Sequence, residues 1–298
     1  MECCCHHDLV FDFDCTITES DTIGVLAEAA IARVADGLQR QLRREAWKRV
    51  VEAYKDDYAR HEAEYQPAAP QRRTMAAETA WLASLQSVEN ASLERVGEAQ
   101  IFAGFAAQDD FFSMGVEALE TGCVGLRRGL YDLVKHMSRS NCIMRIVSVN
   151  WSQAFIHGVL EAMAETSPDV TIQVAANSIQ CPRGTIGGAG LRIATAADKL
   201  AAMRRLVAPC EHEGQTTPKT VYFGDSETDL ECLLYSRGVA MVPHQDASLL
   251  RTLGRLRFDV AHMSSPSARG AKICWARDFS EVLVSFHSWI QSTQTTPP

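Results

Sequence analysis

The sequence predicts an α/β fold, a doubly wound parallel sheet with an inserted all-helical cap. Three features carry that expectation. Leu9-Val10-Phe11 is a short apolar run of the kind that fills a buried strand. The next stretch, roughly a hundred residues, has helical rather than alternating apolar periodicity. From Gly125 onward, helix-like and strand-like segments alternate, as they do when crossover helices cover both faces of a parallel sheet.

The elements follow in order. Thr22 to Val34 reads as a helix, and Leu38 to Tyr65 as a long one in which Trp47, Val51, Tyr54 and Tyr58 form a single stripe. That stripe is expected to pack helix against helix, and Arg40, Arg43, Arg44 and Arg49 to form a solvated face. Pro67 and Pro70 mark Gln66 to Gln71 as a loop, after which helical pattern resumes over Thr74–Leu85 and Ser92–Ala99. Then come a helix over Gly129–Met137, a strand over Ile143–Val149, a helix over Phe155–Ala164 and a strand over Val170–Val174. Gly184, Gly187, Gly188 and Gly190 suggest a hairpin or tight turns, not a dinucleotide loop. A helix over Ala196–Leu206, a strand over Thr220–Phe223, a helix over Glu227–Tyr235 and a strand over Gly238–Val242 continue the alternation. The layout is Rossmann-like, with residues 1–21 and 122–290 as the sheet domain, 22–121 as the cap and 291–298 as a disordered polar tail. An insertion just after the first strand would sit as a lid over the carboxyl ends of the strands.

Composition narrows the function classes. The chain has 298 residues, 46% hydrophobic and 22% charged, enough for one large domain or two moderate ones. A net charge of −8 argues against broad capture of nucleic acid or anionic membrane. No apolar run is long enough to span a bilayer, and the N-terminus lacks the pattern of a secretory signal. A cytoplasmic location with reduced thiols is therefore the expectation for the ten cysteines. Adjacent residues such as Cys3-Cys4-Cys5-His6-His7 cannot easily converge on one tetrahedral ion, so that run reads as a ragged or strand-leading terminus.

The chemistry concentrates at predicted strand ends. Asp12 and Asp14 stand at alternate positions and project from one face. Two carboxylates so close raise one another's pKa unless a cation or phosphoryl-binding charge intervenes. Ser148 follows Ile146-Val147, with Asn150 two residues on; Lys199 lies near a helix start; Asp225 and Asp229 follow Val221-Tyr222-Phe223. Singly, each could be a cap, a strand terminator or a solvated charge.

Together, Asp12-Phe13-Asp14-Cys15-Thr16, Ser148, Lys199 and Asp225 with Asp229 resemble, in order, the motifs of the haloacid dehalogenase-like (HAD) superfamily. Asp12 through Thr22 further resembles its phosphoserine-phosphatase-like branch, which inserts a helical cap at this place; Cys15 stands where glycine or serine is more usual. The resemblance implies a phosphatase in which Asp12 attacks phosphorus and forms an aspartyl phosphate, and Asp14 serves as acid and base. It implies Mg2+ held by Asp12, the main-chain carbonyl of Asp14, and Asp225, with Asp229 direct or through water. Ser148 and Lys199 would hold the phosphoryl oxygens, and Thr16 and Asn150 would add phosphate contacts.

The expected substrate is a small phosphorylated metabolite, because cap and core must open to admit it. Glu19, Asp21, Arg72, Arg73 and Trp47 are candidate leaving-group contacts for which a structural or solvated role is the plainer reading; Trp151 lies beside the Ser148 loop. Two other readings stand beside the phosphatase. A phosphoryl-accepting regulatory module also uses an acidic pair, a Ser/Thr and a Lys, but does not need Asp14. A phosphotransferase, mutase or dehalogenase of the same fold is the other, and dehalogenases generally lack the second aspartate. Oligomeric state is not legible.

Overall fold

The computed structural model describes residues 8–138, 143–187, 192–207 and 220–291. Its strands are β1 (Asp8–Phe11), β2 (Ile143–Val147), β3 (Thr171–Ala175), β4 (Ile179–Gln180), β5 (Thr185–Ile186), β6 (Thr220–Gly224), β7 (Arg237–Met241), β8 (Ala261–His262) and β9 (Ile273–Ala276). Seven of them form one sheet in the order β3-β2-β1-β6-β7-β9-β8, every pair parallel. The chain works outward from β1 through β2 to β3, then crosses back to β6 on the other side of β1. The ends of β1 and β6 therefore form the switch point where open α/β sheets bind ligands.

Both faces of the sheet are buried, and the two-residue period of β1 sorts its side chains between them. Leu9 and Phe11 point into one apolar cluster, Val10 into another. The first face stacks Phe11 on Phe223 with ring centroids 4.7 Å apart and is covered by α6 (Leu130–Ser138), α7 (Gln153–Val159) and α12 (Phe279–Gln291). The second is covered by α9 (Ala196–Val207), α10 (Leu230–Tyr235) and α11 (Ser248–Arg255).

Between β1 and α6 lie five helices: α1 (Ile23–Ala32), α2 (Gly37–Glu64), α3 (Met75–Ser84), α4 (Gln86–Glu98) and α5 (Gln108–Glu120). They are not a detached unit. Trp81 and Leu82 of α3 join the cluster under α9, while Phe111 and Met114 of α5 join the cluster of β1. Helices α5 and α7 meet through Gly115 and Gly158: a Cβ on Gly158 would lie 2.0 Å from the carbonyl oxygen of Phe112. Gly158→Ala is thus expected to lower the unfolding free energy by about 1–3 kcal/mol, the ordinary cost of overpacking. Gly24→Ala, where the added Cβ meets nothing within 4 Å, is expected to cost nothing. Urea unfolding of the two variants checks the contrast.

Several sequence expectations need correction. The helix expected over Phe155–Ala164 is two, α7 and α8 (Glu161–Thr166), because Leu160 at φ −94°, ψ 0° ends one and starts the next. The helix expected from Ser92 begins at Gln86, and the loop at Gln66–Gln71 ends in a turn of 3-10 helix. The glycine-rich patch does belong to a hairpin, β4 with β5, whose turn places Gly184 at φ +76°. Gly188, Gly190 and the run Cys3–His7 lie outside the described residues. Strands β8 and β9 and helices α11 and α12 had no sequence expectation; β8, two residues long, is too short to display a period, while β9 is a four-residue apolar run of the same kind as β1. Helix α12 runs to Gln291, into what was expected to be the tail. Among the described residues no helix is long and apolar enough to cross a membrane.

Candidate active site

Asp12 follows β1, and its main-chain N–H donates to the carbonyl of Phe223 at 2.8 Å, tying it to β6. Its side chain, 6% exposed, accepts the Phe13 N–H at 2.7 Å on Oδ1 and meets Lys199 Nζ at 2.9 Å with Oδ2. The same Nζ lies 2.7 Å from Asp229 Oδ1, and Lys199 is wholly buried. Burial opposes the lysine's charge, but Asp12 and Asp229 outweigh it and hold the pKa above the ordinary value. Burial, then the charges of Asp229 and Asp225, push the Asp12 carboxyl well above its usual range, with Lys199 pulling the other way.

Asp225 follows β6 and is pushed up to about 7 by burial and then by Asp229, against the pull of Lys199, Thr16 and Arg127. Carboxylate oxygens of Asp12, Asp225 and Asp229 all lie within 4.8 Å of one another. Hard anionic oxygens at this separation, with a shared excess of negative charge, suit Mg2+. Asp229 is the most heavily committed of the three. Its Oδ1 accepts from Lys199 and Tyr222, and its Oδ2 from the N–H groups of Asp225 and Ser226 and from the Ser226 hydroxyl. Five donors exceed the roughly four lone-pair directions of a carboxylate. Asp229 therefore shapes the Asp225 loop and anchors the lysine, which fits contact with an ion through water better than directly. Gly224 makes room for it, since a Cβ there would lie 2.4 Å from Asp229 Cγ.

Asp14 is held apart from that cluster. Its Oδ1 accepts the Thr22 N–H at 2.8 Å and the Thr22 hydroxyl at 2.6 Å, and its Oδ2 accepts Asn150 Nδ2 at 2.9 Å. Burial and then Asp21 raise its pKa, partly offset by these bonds. Thr22 is the N-cap residue of α1, yet its side chain caps nothing in the helix and is turned to Asp14 instead.

The two further residues expected at the phosphate, Thr16 and Asn150, each have partners within the protein. Thr16 Oγ1 donates to Asp225 Oδ1 at 2.9 Å, so it orients a carboxylate of the cluster. Asn150 is wholly buried, with Nδ2 shared between Asp14 and Thr22 and Oδ1 accepting from Ser152 N–H. The second residue after Ser148 thus faces Asp14. Ser148 itself accepts the Asn150 N–H on Oγ at 3.0 Å, which leaves its hydroxyl proton to donate.

Other residues of the site carried no sequence signal. Arg127 binds the carbonyl of Thr16 at 2.9 Å, and those of Cys15 and Arg277. It locks the turn in which Cys15 sits at φ +56°, a left-handed geometry that costs a β-carbon residue about 1 kcal/mol. Burial and then the nearby carboxylates push the Cys15 thiol up to about 12, so it stays protonated at neutral pH. Asn177 binds the carbonyls of Val149, Asn150 and Ile193 and fixes the Ser148 loop. Of the leaving-group candidates, Arg72 is buried against Glu78 at 3.0 Å and lies over the Trp81 ring, a packing role. Arg73 is exposed and bonds Pro70; Asp21 and Glu19 are exposed. Trp47 packs edge-on to Trp151, centroids 5.9 Å apart.

No family model matches the sequence. A CTO1 family protein of Schizosaccharomyces pombe is 28% identical over 76% of this chain and 78% of its own length. Cold tolerance protein 1 of Saccharomyces cerevisiae is 24% identical over 80% of this chain and 79% of its own. Among solved structures, cytosolic 5'-nucleotidase IIIB bound to cytidine superposes with TM-score 0.57 at 13% identity, covering 98% of this chain and 88% of that one. A probable phosphoserine phosphatase from Vibrio cholerae gives 0.52 at 15% identity, covering 99% and 70%. The chain shares the fold of these two structures, a Rossmann-like parallel sheet flanked by helices.

Proposed function

We propose that the protein is a Mg2+-dependent phosphatase that hydrolyses a small phosphomonoester through an aspartyl phosphate on Asp12. The observation that carries this reading is a division of labour between two buried carboxylates: Asp12 on Lys199, and Asp14 on Thr22 and Asn150. Lys199, with Mg2+ when bound, favours the ionised nucleophile against the burial that raises the Asp12 pKa, and the second environment suits a carboxyl that exchanges a proton.

In the first half-reaction, Asp12 attacks phosphorus while the bond to the leaving oxygen breaks, and Asp14 gives its proton to that oxygen. The raised pKa of Asp14 favours the protonated acid this step needs. In the second, Asp14, now ionised, takes a proton from the water that attacks the aspartyl phosphate. Inorganic phosphate leaves and Asp12 is regenerated. Ser148 donates its hydroxyl proton to a phosphoryl oxygen, and Lys199 balances the charge that accumulates beside Asp12. Mg2+, held by Asp12 and Asp225 with Asp229 behind, would neutralise the phosphoryl charge. Residues 22–121 act as the cap, and their docking on both sheet clusters supports a closed site for a small metabolite. The net charge of −8 supports local capture of a phosphate over broad binding to nucleic acid or membrane, and a cytoplasmic location is part of this reading.

The test is phosphate release from p-nitrophenyl phosphate by the purified protein. Multiple turnover with Mg2+, lost in EDTA and restored by Mg2+, is the expected result; a single phosphorylation without turnover overturns it. A panel of phosphorylated metabolites then ranks substrates.

Metal and protons compete for the same carboxylates. Because the folded pKa of Asp225 is raised to about 7, its contribution to stability is full below about pH 4. That contribution is lost as pH climbs through 7 in the metal-free protein. Mg2+ is therefore expected to raise the Tm more at pH 8 than at pH 6, measured by thermal melts with Mg2+ against EDTA. Equal shifts at both pH values would contradict it.

A further inference from the structure

Successive residues of β6 alternate between the two faces of the sheet, so Tyr222 and Gly224 share one face. The Tyr222 ring is wholly buried there, in the cluster that holds Val10 of β1 and Met203 of α9. Asp229 lies against the same face, since a Cβ on Gly224 would meet its Cβ at 2.6 Å and its Cγ at 2.4 Å. Lys199 arrives from α9, the helix that covers this face, and reaches both Asp229 and Asp12. A phenol, a carboxylate and an ammonium are thus gathered on one side of the sheet, one bond away from the proposed nucleophile.

Packing alone does not call for a tyrosine. Phe11, Phe13 and Phe223 fill neighbouring buried positions, and a buried hydroxyl is unfavourable unless it is bonded. That of Tyr222 donates to Asp229 Oδ1 at 2.7 Å. Lys199 Nζ lies 2.7 Å from the same oxygen and 2.9 Å from Asp12 Oδ2. Two donors on one carboxylate oxygen divide its negative charge, so each is held less tightly than it would be alone. The tyrosine therefore relaxes the grip of Asp229 on the ammonium and leaves more of it to Asp12. Without the hydroxyl, Asp229 would draw the ammonium toward itself. The charge that accumulates beside Asp12 as phosphorus is attacked would then be balanced less well, since such stabilisation depends on a donor already in place.

We propose that Tyr222 is a positioning residue of this site: its bond to Asp229 Oδ1 keeps the Lys199 ammonium shared between the two carboxylates, where it serves Asp12. This rests on the phosphatase reading above. Tyr222 acts on the reacting atoms only through Asp229 and Lys199. In the sequence it is one apolar residue of a buried strand, and its hydroxyl gains a part in the chemistry because α9 lies against β6.

The experiment uses Tyr222→Phe, which keeps the ring and removes the donor. With saturating Mg2+ and p-nitrophenyl phosphate, kcat is expected to fall by about tenfold, the worth of one hydrogen bond to a charged group, with KM within about twofold. In an Asp229→Asn background the same substitution is expected to change kcat by less than about twofold, because a neutral amide makes no comparable claim on the ammonium. A tyrosine that only packs would give the same change in both backgrounds. A second readout needs neither turnover nor metal: the proton–nitrogen NMR signal of the Lys199 ammonium, identified by its absence from Lys199→Met. That signal is expected to move in Tyr222→Phe, and to stay put when Asp229 is already asparagine. It is expected to move the opposite way with 3-fluorotyrosine at position 222, a stronger donor of nearly the same shape, and this protein carries the test if the phenylalanine variant does not fold. Hydrolysis by the wild type with kcat unchanged in Tyr222→Phe, or lowered equally in both backgrounds, overturns the proposal and leaves the phosphatase reading standing. So does an ammonium signal that neither substitution moves. A wild type that hydrolyses no ester overturns the phosphatase reading itself.

Discussion

Asp12→Asn is expected to reduce turnover of any phosphomonoester by on the order of 10^4-fold or more, the scale seen when a covalent nucleophile is removed. The substitution is nearly isosteric: the amide oxygen can still accept from Phe13 N–H, and Lys199 keeps Asp229 at 2.7 Å. Loss of activity would therefore come without loss of fold. The raised pKa of Asp12 adds a second, opposite signature. Its charge is unfavourable beside Asp229 and Asp225, so the metal-free variant is expected to melt at or above the temperature of the wild type at pH 8. Steady-state phosphate release and thermal melts in EDTA measure the two effects. Retained turnover would sink the assignment of Asp12 as nucleophile.

The second large effect belongs to Lys199. Its side chain has no exposure and contacts two carboxylates, so Lys199→Met would leave Asp12 and Asp229 buried without their cation. Breaking a buried pair by removing one partner costs about 3–5 kcal/mol, and urea unfolding at pH 7 should register a loss of that size. The raised lysine pKa means this stabilisation is fully present below the ordinary lysine value and is lost only at higher pH. The deficit is expected to shrink at pH 5, where the orphaned carboxyls can take up protons. Asp229→Asn in the same protein should restore part of it, since the two residues are in contact. A variant as stable as the wild type would mean that the buried triad is not charged as described.

The parts of this molecule legible in sequence are those determined by local pattern. A buried parallel strand is written in three or four consecutive apolar residues, and Leu9-Val10-Phe11 and Val221-Tyr222-Phe223 are both such runs. Because parallel strands all end on one edge, polar residues just past them converge, so Asp12, Asp14, Ser148 and Asp225 could be gathered from the sequence alone. Strand β8, two residues long, has no periodicity to read, whereas β9, Ile273-Cys274-Trp275-Ala276, carries the same apolar signal as β1.

Side-chain roles within the site were less legible, because each depends on which way a turn faces. Thr16 and Asn150 sit at positions that could reach a phosphate. The folded turns bond the first to Asp225 and the second to Asp14. Arg127 acts on Thr16 from 111 residues away, and no pattern in the chain announces it.

The sequence by itself determined the fold class and the set of acidic and basic groups at the strand ends, since both follow from burial and strand direction. Only the tertiary structure decided how those groups pair with one another. Lys199 reaches Asp12 and Asp229 because helix α9 lies against one face of the sheet. Thr22 and Asn150 draw Asp14 out of the carboxylate cluster because the start of α1 and the turn after β2 meet beside β1. Charge, distance and burial set a carboxylate's pKa and partner, and in a chain of this kind those quantities exist only after distant segments have packed.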